Sequence, residues 1–250
     1  MIRIVVGLIA FLFLISCSEK KDKKVQGNST VVSSQPLKKD KKVQGNSTVV
    51  SNQSFFYPYD TVPKIYQYRE LKNGMYEQFH RVYGITRTNG KHILLETFTQ
   101  DGRLTETYDF LLDSMVVYDH LVVGATGDIK PAVVNKNKLF PLDGKETHFN
   151  SQFSGVTDAF VIAYDSRRRF NAFTKRDILS KKVDCMKLIE TLTVTNRDDK
   201  LALKNETSID IVRYYGKSIG LVEWHDVSDN QHYILEDIIT QNEWLKIISG

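Results

Sequence analysis

The sequence predicts a mainly β protein built on one curved antiparallel sheet of the half-barrel kind, with few short helices. Three observations carry this. From Ile65 onward the apolar residues recur with a period of two, not with the 3.6-residue period of a helix. All five prolines lie at or before Pro141, so the last 109 residues hold no residue that removes a ladder donor. The 14 glycines fall mostly at expected turns.

The elements follow in order. Residues 65–71 (IYQYREL) alternate, and 75–85 (MYEQFHRVYGI) alternate with aromatic residues. The segment 92–99 runs into Asp101-Gly102, a short hairpin signal, and then into 103–112. Strands are expected at 113–123, 147–153, 158–164 and 169–174, with one or two helical turns over 174–182. A long strand follows at 184–196 (DCMKLIETLTVTN), turned by 197–200 (RDDK). Strands at 209–215, 220–225 and 232–240 complete the sheet.

Ahead of this domain stands a different kind of sequence. Arg3 is followed by an unbroken apolar run, 4–15 (IVVGLIAFLFLI). A dozen residues make roughly 18 Å of helix, against a bilayer core of about 30 Å. The run therefore reads as the apolar region of a signal peptide and not as a membrane span. The residues that close it, Leu14-Ile15-Ser16-Cys17, resemble the lipobox of bacterial lipoproteins. The resemblance implies cleavage before Cys17 and acylation of that cysteine, with membrane lipid as its partner. Ser18 stands where an Asp would favour inner-membrane retention, so the resemblance implies an outer-membrane envelope protein.

Residues 20–35 and 38–53 are a tandem repeat of KKDKKVQGNSTVVSxQ, identical except for Ser34 against Asn52. Two copies are too few for a stacked solenoid. The lysine-rich composition lacks aromatic residues and cannot offset ordering entropy, so 18–54 is expected to be a disordered tether. The chain thus divides into a signal peptide (1–17), a tether (18–54) and a globular β domain (55–250). The eight lysines of the tether outweigh Glu19, Asp22 and Asp40 to give +5. Arg3 adds one, so the total of +4 leaves about −2 on residues 55–250. The sequence pI of 8.8 belongs to the tether, and no nucleic-acid partner is expected.

Residues 214–223 (YYGKSIGLVE) resemble a hairpin of LolA-like convex-sheet envelope proteins, many of them lipoproteins without a known role. That resemblance implies a curved sheet that holds a lipid or other apolar ligand. It marks Tyr214, Tyr215, Gly220 and Trp224 as the hairpin or groove surface. The alternative is a structural or assembly factor that binds an envelope protein through a sheet face or edge.

Catalytic patterns are missing from the sequence. It has no nucleophile elbow, phosphate loop, dinucleotide fingerprint or zinc-protease motif, so neither an enzyme nor a cofactor is expected. Cys185 is the one cysteine besides Cys17, and beside Met186 in an apolar strand it reads as an inert buried thiol. The six histidines show no ligand spacing, and no metal is expected, although His225 and His232 would face each other across a hairpin. Arg167, Arg168 and Arg169, with Arg176, form the candidate patch for an anionic ligand.

Overall fold

The computed structural model describes residues 52–72, 77–124, 126–155, 160–198, 200–228 and 231–249. The expected signal peptide, Cys17 and nearly all of the repeat lie outside them. The strands are β1 (Lys64–Glu70), β2 (Glu77–Arg87), β3 (Gly90–Thr99), β4 (Leu104–Leu111), β5 (Val116–Val123), β6 (Ile129–Pro131) and β7 (Val133–Asn137). They continue with β8 (Thr147–Ser154), β9 (Phe160–Ile178), β10 (Lys181–Asp198), β11 (Leu203–Gly216), β12 (Gly220–Asp226) and β13 (His232–Thr240), before helix α1 (Gln241–Ser249).

All thirteen strands belong to one antiparallel sheet, in the order β6-β5-β4-β3-β2-β1-β13-β12-β11-β10-β9-β8-β7. Every neighbour is also a neighbour in sequence except one: β1 pairs with β13, from Lys64↔Thr240 to Glu70↔Tyr233. The two ends of the sheet, β6 and β7, are joined in the chain through Ala132, and a bridge Val116↔Lys138 ties the ends together. The sheet therefore comes round almost to a closed barrel, further than the expected half-barrel. Register shifts at 67/68, 97/98, 109/110, 187/188 and 214/215 help to bend it, because a bulge increases local twist.

Several elements differ from expectation. The stretch 174–182 is not helical: it ends β9, turns, and opens β10. Leu179 and Ser180 make the turn with φ of 49° and 63°, the handedness that two-residue hairpins need. Leu-Ser carries no turn signature, so the hairpin was hidden. The strands expected at 158–164 and 169–174 are one strand of 19 residues. β11 begins at Leu203 and not at 209, while β6 and β7 were not anticipated. Neither was α1, although 240–243 (TQNE) is a capping box. Glu243 Oε2 accepts from Thr240 N at 2.8 Å, and Glu243 N donates to Thr240 Oγ1 at 3.3 Å. The helix seals an outer-face cluster in which Trp244 covers Ile65, Phe79 and Phe98.

The larger core is inside. Asn52–Phe55 form a single 3-10 turn, and residues 52–57 enter the barrel as a plug. Phe56 meets Phe110 and Phe140 edge-on, each at 5.0 Å, and Tyr57 meets Tyr66 at 5.1 Å. Asn52, Gln53 and Ser54, expected in the tether, are thus part of the fold. Asn52 donates from its backbone N to Leu142 O (3.1 Å) and from Nδ2 to Pro141 O (2.9 Å). Ser54 O accepts from Ser218 N. The single substitution that separates the two repeats falls on the residue that fastens the plug.

Candidate functional site

Strand alternation assigns each candidate residue to the inside or the outside of the barrel. On β12, Trp224 faces inward, where it contacts Tyr68 (4.8 Å), His80 and Tyr233. Glu223 and His225 therefore face outward. On β11, Tyr215 faces inward: its ring meets Phe140 and its Oη accepts from Arg168 (3.2 Å). Tyr214 faces outward. Gly220, at φ +106°, lies against Tyr57, and a Cβ there would fall 2.2 Å from the Tyr57 ring. Of the four residues marked as the hairpin or groove surface, Tyr214 is thus on the outer face, while Tyr215, Gly220 and Trp224 face the filled interior.

The arginine cluster is divided in the same way. Arg168 points inward and is held by Glu190 (Nε to Oε1, 3.0 Å) and by Leu139 O. Arg213 pairs with the other oxygen of Glu190, Oε2, and Ser166 Oγ donates to Oε1 at 2.5 Å. Burial alone would raise the Glu190 pKa. Two guanidinium groups outweigh that and hold it at about 2. This is a buried charge network in the barrel wall. Arg167 and Arg169 are exposed on the outside of β9, and Arg176 is outward too.

The outward residues gather into one surface. Arg176 Cζ lies 4.3 Å from the centre of the Tyr214 ring, and Lys187 Nζ lies 5.9 Å from it. Arg176 also grips Glu223, donating from Nε to Oε2 (2.9 Å) and from its second nitrogen to Oε1. His232 Nε2 is 3.0 Å from Glu223 Oε1, and the His225 and His232 rings are 5.0 Å apart. Glu223 is 4 % exposed, so this carboxylate is covered from both sides. Cys185 lies in the same wall; burial raises its thiol to about 11, which keeps it protonated and unreactive. Lys187 and Glu223 escaped the sequence reading. The register Lys187↔Tyr214↔Glu223 could have placed them, had the strand bounds been known.

Two further polar groups were not foreseen. Ser151 Oγ, His120 and Glu106 form a chain: Nδ1 to Oγ is 3.0 Å, and Nε2 to Glu106 Oε1 is 2.9 Å. The residue types are those of a nucleophile relay. However, Ser151 and His120 are both 0 % exposed, and Tyr108 stacks on the imidazole at 4.5 Å. The group is packed inside the barrel. On the outer face, a recess of about 60 Å³ is lined by Arg87, Leu94, Thr107, Asp109, Asp119 and Leu121. That is far below the roughly 300–1,000 Å³ of small-molecule sites. Among the described residues, no helix is long and apolar enough to cross a membrane.

No protein-family model matches the chain, and no curated protein sequence matches it. Two solved structures are similar in fold. One is a candidate lipoprotein from Parabacteroides distasonis, with a TM-score of 0.45 and 14 % identity over 74 % of this chain and 98 % of that one. The other is a candidate exported protein with a YmcC-like fold from Bacteroides fragilis. Its TM-score is 0.45, with 11 % identity over 74 % of this chain and 99 % of that one.

Proposed function

We propose that this protein is a lipid-anchored component of the bacterial envelope, held at the outer membrane through acylated Cys17. Its barrel acts as a non-enzymatic binding module that meets an envelope protein partner from the outside. The observation that carries the second part is the filled interior. Phe55, Phe56 and Tyr57, with Leu139 and Phe140, occupy the space in which an apolar ligand would otherwise lie. The leading expectation of a lipid held in the curved sheet would require this plug to leave. Binding from outside requires no rearrangement. Arg176 and Lys187 beside Tyr214, with Arg167 and Arg169 farther along the outer face of β9, make a cationic, aromatic surface on a domain whose net charge is about −2, which suits an anionic partner surface.

Two experiments test the reading. Replacing Cys17 with Ala should release the protein from the membrane fraction; a variant that still fractionates with the outer membrane rejects the anchor. Photo-crosslinking residues placed at Arg169 and Lys187 should capture one reproducible partner in cells, while the inward position Trp224 captures none. A lipid that co-purifies in native mass spectrometry, with no partner captured, would restore the interior-ligand reading.

A further inference from the structure

We propose that Glu223, His225 and His232 form a binding site for a zinc-type divalent transition-metal ion on the outer face of the barrel. One ligand atom from each of the three lies within 4.8 Å of the other two. The placement follows from strand geometry. His225 and His232 are register partners on β12 and β13, and Glu223 precedes His225 by two residues, so all three share a face. The donors stand on paired strands and not on loops, which fixes their spacing.

The distances fit a small ion. Tetrahedral zinc with bonds of about 2.0–2.1 Å sets its ligand atoms roughly 3.3 Å apart. His232 Nε2 and Glu223 Oε1 are already 3.0 Å apart, so one edge of the tetrahedron is in place. The His225 donor, within 4.8 Å of the other two, has to move in toward that edge by roughly an ångström or more to reach tetrahedral spacing. Both histidines are partly exposed, which leaves an entry path and a fourth position facing solvent. Two imidazoles and one carboxylate suit zinc, cobalt, nickel or copper better than magnesium or calcium, which prefer oxygen alone.

Arg176 supplies both support and restraint. Its Nε bond to Oε2 (2.9 Å) can persist while Oε1 turns to the metal, the outer-shell role that orients ligating carboxylates. Its second bond, to Oε1, must be given up, and its charge repels a cation. Arg176 therefore holds the affinity down.

The test uses the full chain, purified from membranes in detergent and carrying no polyhistidine tag. It is titrated with Zn²⁺ by calorimetry and with Co²⁺ by visible absorption. The expected result is one ion per chain and a tetrahedral cobalt band. His225→Ala and His232→Ala should each weaken binding about tenfold or more, and Arg176→Gln should tighten it severalfold. His148→Ala removes another histidine–carboxylate pair, 2.8 Å to Asp165, and should leave affinity unchanged. Absence of stoichiometric binding overturns the proposal, as does affinity unchanged in both histidine variants or weakened equally by His148→Ala. Should His225→Ala fail to fold, Co²⁺ broadening of the His225 and His232 ring signals in the wild-type chain reports the same site, and lack of broadening overturns it.

Discussion

Tyr57 Oη lies 3.4 Å from His80 Nδ1, a contact between the plug and the barrel wall. Tyr57 Oη is also 3.4 Å from Tyr68 Oη, and the Tyr68 hydroxyl donates to Leu221 O at 2.8 Å. Burial, with the neighbouring Arg213 charge, lowers the His80 pKa from 6.5 to about 3. The interior thus holds a neutral imidazole among phenols whose own pKa values burial pushes up.

Stability should fall with acid in two steps. The unfolded chain protonates His80 below pH 6.5, but the folded chain does so only near 3. That contribution is complete above pH 6.5 and is lost as pH falls toward 3. Glu190 adds a second window: its contribution is complete above pH 4.5 and is lost toward 2. Urea midpoints measured from pH 8 to pH 3 should show both. In His80→Gln the midpoint should stay flat between pH 6.5 and 5; an unchanged slope there would assign the first step to another group.

Phe56→Ala should cost about 3–5 kcal/mol, since the ring is 3 % exposed and meets Phe110, Phe140 and Tyr57. Equilibrium denaturation measures the loss. A cost under 1 kcal/mol would mean that the plug is not part of the folded core.

Asn52→Ser makes the second repeat identical to the first. It removes the 2.9 Å bond to Pro141 O and should lower stability by about 1 kcal/mol. The same exchange in reverse, Ser34→Asn, should change nothing. The pair of thermal melts separates a structural role for Asn52 from a general effect of the repeat.

Gly220→Ala should destabilise by about 2–5 kcal/mol, because φ of +106° strains any L side chain and the added Cβ meets the Tyr57 ring. Shaving the ring in the double variant with Tyr57→Ala should recover the steric part only, which a double-mutant cycle reads directly.

Lys204 and Glu206 stand on the half of β11 that β12 leaves uncovered, since the β11–β12 pairing runs only from Ile211 to Gly216. Residues 203–208 are all exposed. Charge on such an edge discourages strand addition. Replacing both residues with Val should make the purified protein self-associate, visible in sedimentation; a monomer at the same concentration would show that another feature guards the edge.

The sheet was readable because half-buried strands print their alternation into the sequence. The segments 65–71 and 232–240 came through nearly residue for residue. What stayed hidden had a physical reason in each case. The Leu179-Ser180 turn uses residues without turn chemistry. β6 and β7 are short, with three and five residues, and β6 ends on Pro131, which has no N–H to give to a ladder. α1 is amphipathic over only nine residues, with Trp244 alone buried. The plug was missed because Asn52 and Gln53 end the second repeat and Ser54 follows in the same polar composition; nothing in composition separates a polar residue that binds Leu142 O from one that does not. The Arg167–Arg169 run looked like one patch, yet alternation sends Arg168 inward. The outer cluster needed register, which sequence does not supply.

The pairing of β1 with β13 also sets an order of events. Among the described strands β13 is the last in the chain, so the seam that joins the two halves of the sheet cannot form until nearly all of the described strands have been made. Until β13 arrives, Phe55, Phe56 and Tyr57 have no finished enclosure to enter. Contacts between opposite ends of a chain are slow to form. Each half of the sheet, built from strands adjacent in sequence, can therefore form before the seam that joins the two halves.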